Sequence, residues 1–138
     1  MNRDEGERGF CGAGQKIEIA WYGKHFGEEP VISGKNGSGT LFFCNCNLKC
    51  IYCQNWQISH GQIKGKEFSL AETVRLIFEL EKEGANNINL VSPTVWAFWL
   101  KEVLLKVKEK GLKIPVIWNS NGYEEVGVLK EFEDLVDI

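Results

Sequence analysis

From Thr40 to Ile138, short apolar runs alternate with longer amphipathic ones, and this alternation limits most strongly what the chain can fold into. Strands are expected at about Thr40–Cys44, Asn87–Val91 and Ile114–Asn119, and Val136-Asp137-Ile138 reads as a fourth strand that stops as it starts. Between the first two, Ser69-x2-Glu72 is a capping box that opens a helix with Leu70, Val74, Ile77 and Phe78 on one face and Gly84 as its stop. Ser92 and Pro93 read as the N-cap and first position of a second helix, whose stripe of Trp96, Trp99, Leu100, Val103, Leu104 and Val107 ends at Gly111. A third helix is expected over about Glu124–Leu135 through Val128, Leu129, Phe132 and Leu135. Successive β-α-β units of this length give right-handed crossovers and a parallel sheet with helices outside.

Residues 1–39 carry little pattern beyond Ile17, Ile19 and Trp21, which alternate as a half-buried strand would. Gly34–Gly39 is a turn feeding the next strand and lacks the Gly-Lys-Ser/Thr ending of a phosphate loop. The expected organisation is an irregular N-terminal extension with one short strand over 1–39, then an α/β unit over 40–138. At 138 residues the chain can bury a core without disulfide staples. A net charge of -3, with Lys and Arg scattered, argues against a general nucleic-acid binder. Val95–Leu100, the longest apolar run, falls far short of the ~20 residues that span a bilayer. With no hydrophobic stretch behind Met1, a cytoplasmic, membrane-free location is expected.

Four of the five cysteines fall between Cys44 and Cys53, which suits metal ligation in a reducing compartment better than a disulfide framework. Cys46, Cys50 and Cys53 form a C-x3-C-x2-C run. Thiolates packed this closely repel one another unless a cation or cluster neutralises them or they stay protonated. Three thiolates on an iron–sulfur cubane leave one of its four corners open, and an open metal position is the mark of a catalytic site. A four-thiolate zinc site drawn from Cys44, Cys46, Cys50 and Cys53 is the structural alternative, although structural zinc usually takes two separated pairs.

Cys46-x3-Cys50-x2-Cys53, with Tyr52 just before the third cysteine, resembles the signature of radical S-adenosylmethionine (SAM) enzymes. Asn2–Gly12, Glu29–Gly34, Gly37-Ser38-Gly39-Thr40 and Cys53–Ser59 narrow the resemblance to uncharacterised relatives of pyruvate formate-lyase activating enzyme. What the resemblance implies is a 4Fe–4S cluster on Cys46, Cys50 and Cys53, with SAM at the open iron. Reductive cleavage to a 5′-deoxyadenosyl radical and hydrogen abstraction would follow, making the chain an oxidoreductase. It also implies a glycyl-radical-type protein substrate and a low-potential electron donor such as flavodoxin or ferredoxin. The family core is a partial β/α barrel of about six repeats. This chain therefore reads as its first three to four repeats, a truncated or split member whose partner is the missing half of the barrel. The rival reading is an iron–sulfur, or less readily zinc, module without catalysis.

By the same resemblance Tyr52 sits beside the adenine of SAM, though a tyrosine in such a loop also serves as packing. At the end of the second strand, Val91-Ser92-Pro93-Thr94 has no carboxylate for the methionine amino group, so Ser92 and Thr94 hydroxyls or backbone carbonyls are the candidates, against a plain cap at Ser92. Asn119 and Asn121 follow the third strand and suit ribose hydroxyls or the SAM carboxylate, or merely form a turn. Cys44 and Asn45 depart from the family pattern, which has a small residue and a glycine there. Strand alternation allows Cys44 and Cys46 to point the same way. Cys11, His25 and His60 carry no ligand spacing, and no residue is assigned a catalytic role.

Overall fold

The computed structural model describes residues 5–138, so Asn2, Arg3 and Asp4 of the N-terminal run lie outside the described residues. Five strands, β1 (Ile17–His25), β2 (Ser38–Phe43), β3 (Lys66–Phe68), β4 (Ile88–Val91) and β5 (Val116–Asn119), form one open sheet in the order β3-β1-β2-β4-β5. The long crossovers make β2, β4 and β5 parallel, while β1 is antiparallel to both of its neighbours. β1 runs nine residues, past Trp21, with a register shift between Ile19 and Trp21. Its second half pairs with β2 yet stays half-exposed, which is why apolar alternation does not announce it.

Helices α3 (Leu70–Lys82) and α4 (Ala97–Glu109) cover one face of the sheet. Val74, Leu76, Ile77 and Leu80 of α3 and Leu100, Val103, Leu104 and Val107 of α4 bury against Ile19, Leu41, Phe43, Ile88, Leu90 and Val116. The capping box closes as the sequence predicts: Ser69 Oγ accepts the Glu72 N–H at 3.3 Å, and Glu72 Oε2 accepts the Ser69 N–H at 2.8 Å. These bonds to Ser69 hold the Glu72 carboxyl below its ordinary range, so the cap contributes at neutral pH and is lost as acid protonates it. Gly84, at φ +81°, supplies the left-handed residue that stops α3.

Four expectations need correction. Ser92 is not a helix N-cap: it sits at φ +60°, Pro93 leads into a 3₁₀ turn over Thr94–Trp96, and α4 starts only at Ala97. The third strand begins at Val116, because the Pro115 carbonyl already accepts the Ile88 N–H at 2.8 Å before the regular ladder starts. The third helix is reduced to α5 (Val126–Lys130), after which turns carry Phe132 onto Trp118, ring centroids 4.6 Å apart. Val136–Ile138 is not a regular strand, yet Asp137 and Ile138 donate to the Val116 carbonyl and Ile138 accepts from the Trp118 N–H. Asp137 Oδ2 also takes the Val116 N–H at 2.8 Å, which holds its carboxyl low.

Helix α1 (Pro30–Ser33) closes the end of the sheet away from the strand C-termini. Asn86 donates to the Ser33 carbonyl at 2.6 Å and Asn87 to the Ile32 carbonyl at 2.8 Å. Two further elements, β3 and α2 (Trp56–Ser59), lie within what the sequence presents as loop. Among the described residues no helix is long and apolar enough to cross a membrane.

Candidate metal centre

The C-terminal ends of β2, β4 and β5 lie side by side, with Phe42 beside Val91 and Val91 beside Asn119. Parallel α/β sheets present their reactive loops at this edge. The cysteine loop leaves it from β2. Cys44, expected as the last residue of the strand, lies one residue past β2 but stays tied to β1: its N–H donates to the Glu18 carbonyl at 2.9 Å, and its carbonyl accepts Nε1 of the buried Trp96 at 2.9 Å. Its thiol is buried against Gly65, where a Cβ would come within 2.7 Å of Cys44 Sγ. Burial and the Glu18 carboxylate push this thiol up, which keeps it protonated at neutral pH.

The turn between Cys44 and Cys46 is made by Asn45, at φ +71°. Asparagine is among the few residues besides glycine that adopt this conformation readily, which explains why it can stand where glycine is expected. Its N–H donates to the Ile58 carbonyl at 2.9 Å and its Nδ2 to Glu18 Oε2 at 3.4 Å. Glu18 in turn holds Arg8 at 3.4 Å, tying residues 8–18 to the root of the loop.

Beyond Asn45 the three spaced cysteines are only partly buried. Cys46 Sγ receives the Leu48 N–H at 3.4 Å and Asn121 Nδ2 at 3.2 Å. As a thiol it can also donate to Asn47 Oδ1 at 3.8 Å, a bond that lapses on deprotonation. Cys53 Sγ lies 3.3 Å from Ser59 Oγ on α2, and the Cys53 N–H bonds the Cys50 carbonyl at 3.2 Å. Tyr52 is 83% exposed and Ile51 99% exposed, so the packing reading of Tyr52 does not hold. Cys11 packs partly buried against the core. His25 packs edge-on to Phe42 and Trp21, and the His60 N–H closes α2 onto the Trp56 carbonyl.

The remaining candidates gather at the same edge. The Ser92 N–H donates to the Asn119 carbonyl at 2.9 Å, so β4 and β5 stay linked past the ladder. Asn121 reaches the cysteine loop, bonding Asn47 Oδ1 at 2.9 Å besides Cys46, and Asn47 Nδ2 returns to the Tyr123 carbonyl at 3.0 Å. Thr94 Oγ1 donates to Glu124 Oε1 at 2.6 Å, and Trp118 Nε1 reaches the same oxygen at 3.1 Å. Glu124, on the loop after β5, thus brings a carboxylate to the end of β4; from the sequence it reads only as the start of a helix. Asn47, Tyr123, Glu124 and Glu125 line a recess of about 350 Å³ beside Cys46. On the other side of the loop, Asn55, Ile58 and Ile63 join Trp21, His25 and Phe42 around an apolar groove of about 360 Å³.

The donor set fits an iron–sulfur cluster: three thiols on one loop, with N–H groups already directed at one of the sulfurs. Among the described residues no three His, Cys, Asp or Glu side chains are gathered around one point. Cys46, Cys50 and Cys53 are also donors that the zinc alternative would use, with Cys44 as the fourth.

The protein is 34% identical to Uncharacterized protein MJ0674 of Methanocaldococcus jannaschii, over 100% of this chain and 40% of that protein. It is 27% identical to Uncharacterized protein MJ0808 of the same organism, over 91% of this chain and 42% of that protein. The chain thus spans about two fifths of the length of these relatives. No solved structure matches it. The family model described as Radical SAM superfamily matches residues 40–138, the stretch that holds the cysteine loop and the C-terminal ends of β2, β4 and β5. The chain belongs to the Radical SAM superfamily.

Proposed function

We propose that the chain holds a 4Fe–4S cluster on Cys46, Cys50 and Cys53 and binds SAM beside it for reductive cleavage and hydrogen abstraction. When bound, the cluster and SAM would supply one-electron reductive cleavage of the S–C5′ bond and the hydrogen-abstracting power that comes with it. The observation that carries this reading is the meeting of the loops after β2, β4 and β5, where the cysteine loop, Thr94 and Asn121–Glu125 adjoin at one edge.

The chain's own residues have distinct tasks. Cys46, Cys50 and Cys53 would ligate three irons and leave the fourth for SAM. The sulfonium and ammonium of SAM are cations, and Glu124 and Glu125 give the recess the complementary negative charge. Thr94 fixes the Glu124 carboxylate, while Asn119 and the Ser92 backbone hold the strand ends at the spacing the ligand meets. The exposed Tyr52 ring is free to stack on a base. The apolar groove of Trp21, His25 and Phe42 flanks the loop as the place for the acceptor. A glycine of a partner enzyme fits the activating-enzyme resemblance, with flavodoxin or ferredoxin as electron donor and further barrel strands closing the site.

A non-catalytic cluster module is the second reading, favoured by the helix-free face of the sheet, where Trp21, opposite Phe42, is 46% exposed. One assay separates the two. Anaerobically reconstituted chain, reduced with dithionite in the presence of SAM, is expected to form 5′-deoxyadenosine slowly without any acceptor, because an open site positions the cofactor poorly. Reduced cluster with bound SAM and no 5′-deoxyadenosine overturns the catalytic reading.

A further inference from the structure

Both amide hydrogens of Asn121 are directed at the cysteine loop: its Nδ2 donates to Cys46 Sγ at 3.2 Å and to Asn47 Oδ1 at 2.9 Å, while its Oδ1 accepts the Tyr123 N–H at 2.9 Å. Asn121 stands 75 residues from Cys46 in sequence and reaches it only because β5 ends beside β4 and β2. The other donor to that sulfur, the Leu48 N–H, comes from the loop itself at 3.4 Å. Asn121 is therefore the long-range side chain that meets a cysteine sulfur of the proposed cluster.

The geometry points to Asn121 as a positioning residue that sets the reduction potential of the cluster, an inference that rests on the cluster reading above. Reduction adds one negative charge to the cluster and its thiolates. An N–H directed at a ligating sulfur stabilises the more negative state, and so raises the potential. Without it the cluster takes up its electron less readily, and once reduced it is the stronger reductant. Trp118 provides the internal contrast: its Nε1 steadies the same loop after β5 by donating to Glu124 Oε1 at 3.1 Å, a contact away from the cysteine sulfurs.

The test is a potentiometric titration of the full chain, reconstituted anaerobically with iron and sulfide and followed by absorbance and EPR. Asn121→Leu and Asn121→Ala are expected to keep the parent's iron content while disfavouring one-electron reduction about tenfold, which is a midpoint about 59 mV more negative. Trp118→Phe, which removes the Nε1 bond to Glu124 and so loosens the same loop without touching Asn121 or Cys46, is expected to titrate with the parent. Unchanged midpoints in both Asn121 variants overturn the inference, as does an equal shift in Trp118→Phe, which would assign the effect to loosening of the loop. Failure of the parent to hold iron is a different result: it removes the cluster reading and this inference with it.

Discussion

Cys46→Ala, Cys50→Ala and Cys53→Ala are each expected to abolish the cluster formed on reconstitution with iron and sulfide, while Cys44→Ala keeps the parent's iron content and spectrum. A lost ligand leaves one iron without its thiolate, and the remaining two sulfurs cannot hold the cubane. Cys44 differs in its surroundings. Its thiol is buried beside Gly65 and pushed up by burial and by Glu18, whereas the other three lie partly exposed beyond the turn at Asn45. Removing its sulfur costs a small core contact, about 1 kcal/mol, and no iron. Iron analysis and the visible spectrum of the four variants decide the matter. Retention by Cys46→Ala with loss in Cys44→Ala would move the ligand set upstream, and equal loss in all four would favour the four-thiolate zinc site.

The largest effect on stability is expected at Trp96. It is fully buried, packs edge-on to Trp99 with centroids 5.9 Å apart, and donates through Nε1 to the Cys44 carbonyl. Trp96→Ala removes both the ring and the donor and should cost about 3–5 kcal/mol in urea denaturation. Trp96→Phe keeps most of the ring and strands the carbonyl at the root of the cysteine loop, which should cost about 1–3 kcal/mol. Both should lower cluster retention on warming, because the loop hangs from the residue that Trp96 anchors. A Trp96→Phe chain as stable as the parent would show that the bond to Cys44 does not hold the loop.

What the sequence conveyed well was whatever repeats or is capped locally. The α3 capping box, the Leu100–Val107 stripe and the apolar cores of β2, β4 and β5 are short-range signals, and each lies where periodicity places it. The errors came where a local signal has two readings. Ser92-Pro93 is a good helix start by composition, yet the left-handed Ser92 and the 3₁₀ turn after it delay α4 to Ala97. Phe132 and Leu135 fit a helical face, but they are buried from turns after α5 ends. The cysteine spacing was legible because Cys46, Cys50 and Cys53 are neighbours in the chain. The clasp of Asn121 on Cys46 and the arrival of Glu124 at Thr94 were not, since both depend on how β5 comes to lie beside β4. Asn45 was visible only as a departure from glycine, and its φ of +71° gives that departure a reason.

EPR of the reconstituted, dithionite-reduced chain, recorded with and without SAM, tests the central claim most directly. The account predicts a 4Fe–4S signal whose g values and line shape change when SAM is added, because SAM occupies the one iron that Cys46, Cys50 and Cys53 leave open. Identical spectra with and without SAM, or a chain that returns only zinc, would contradict it.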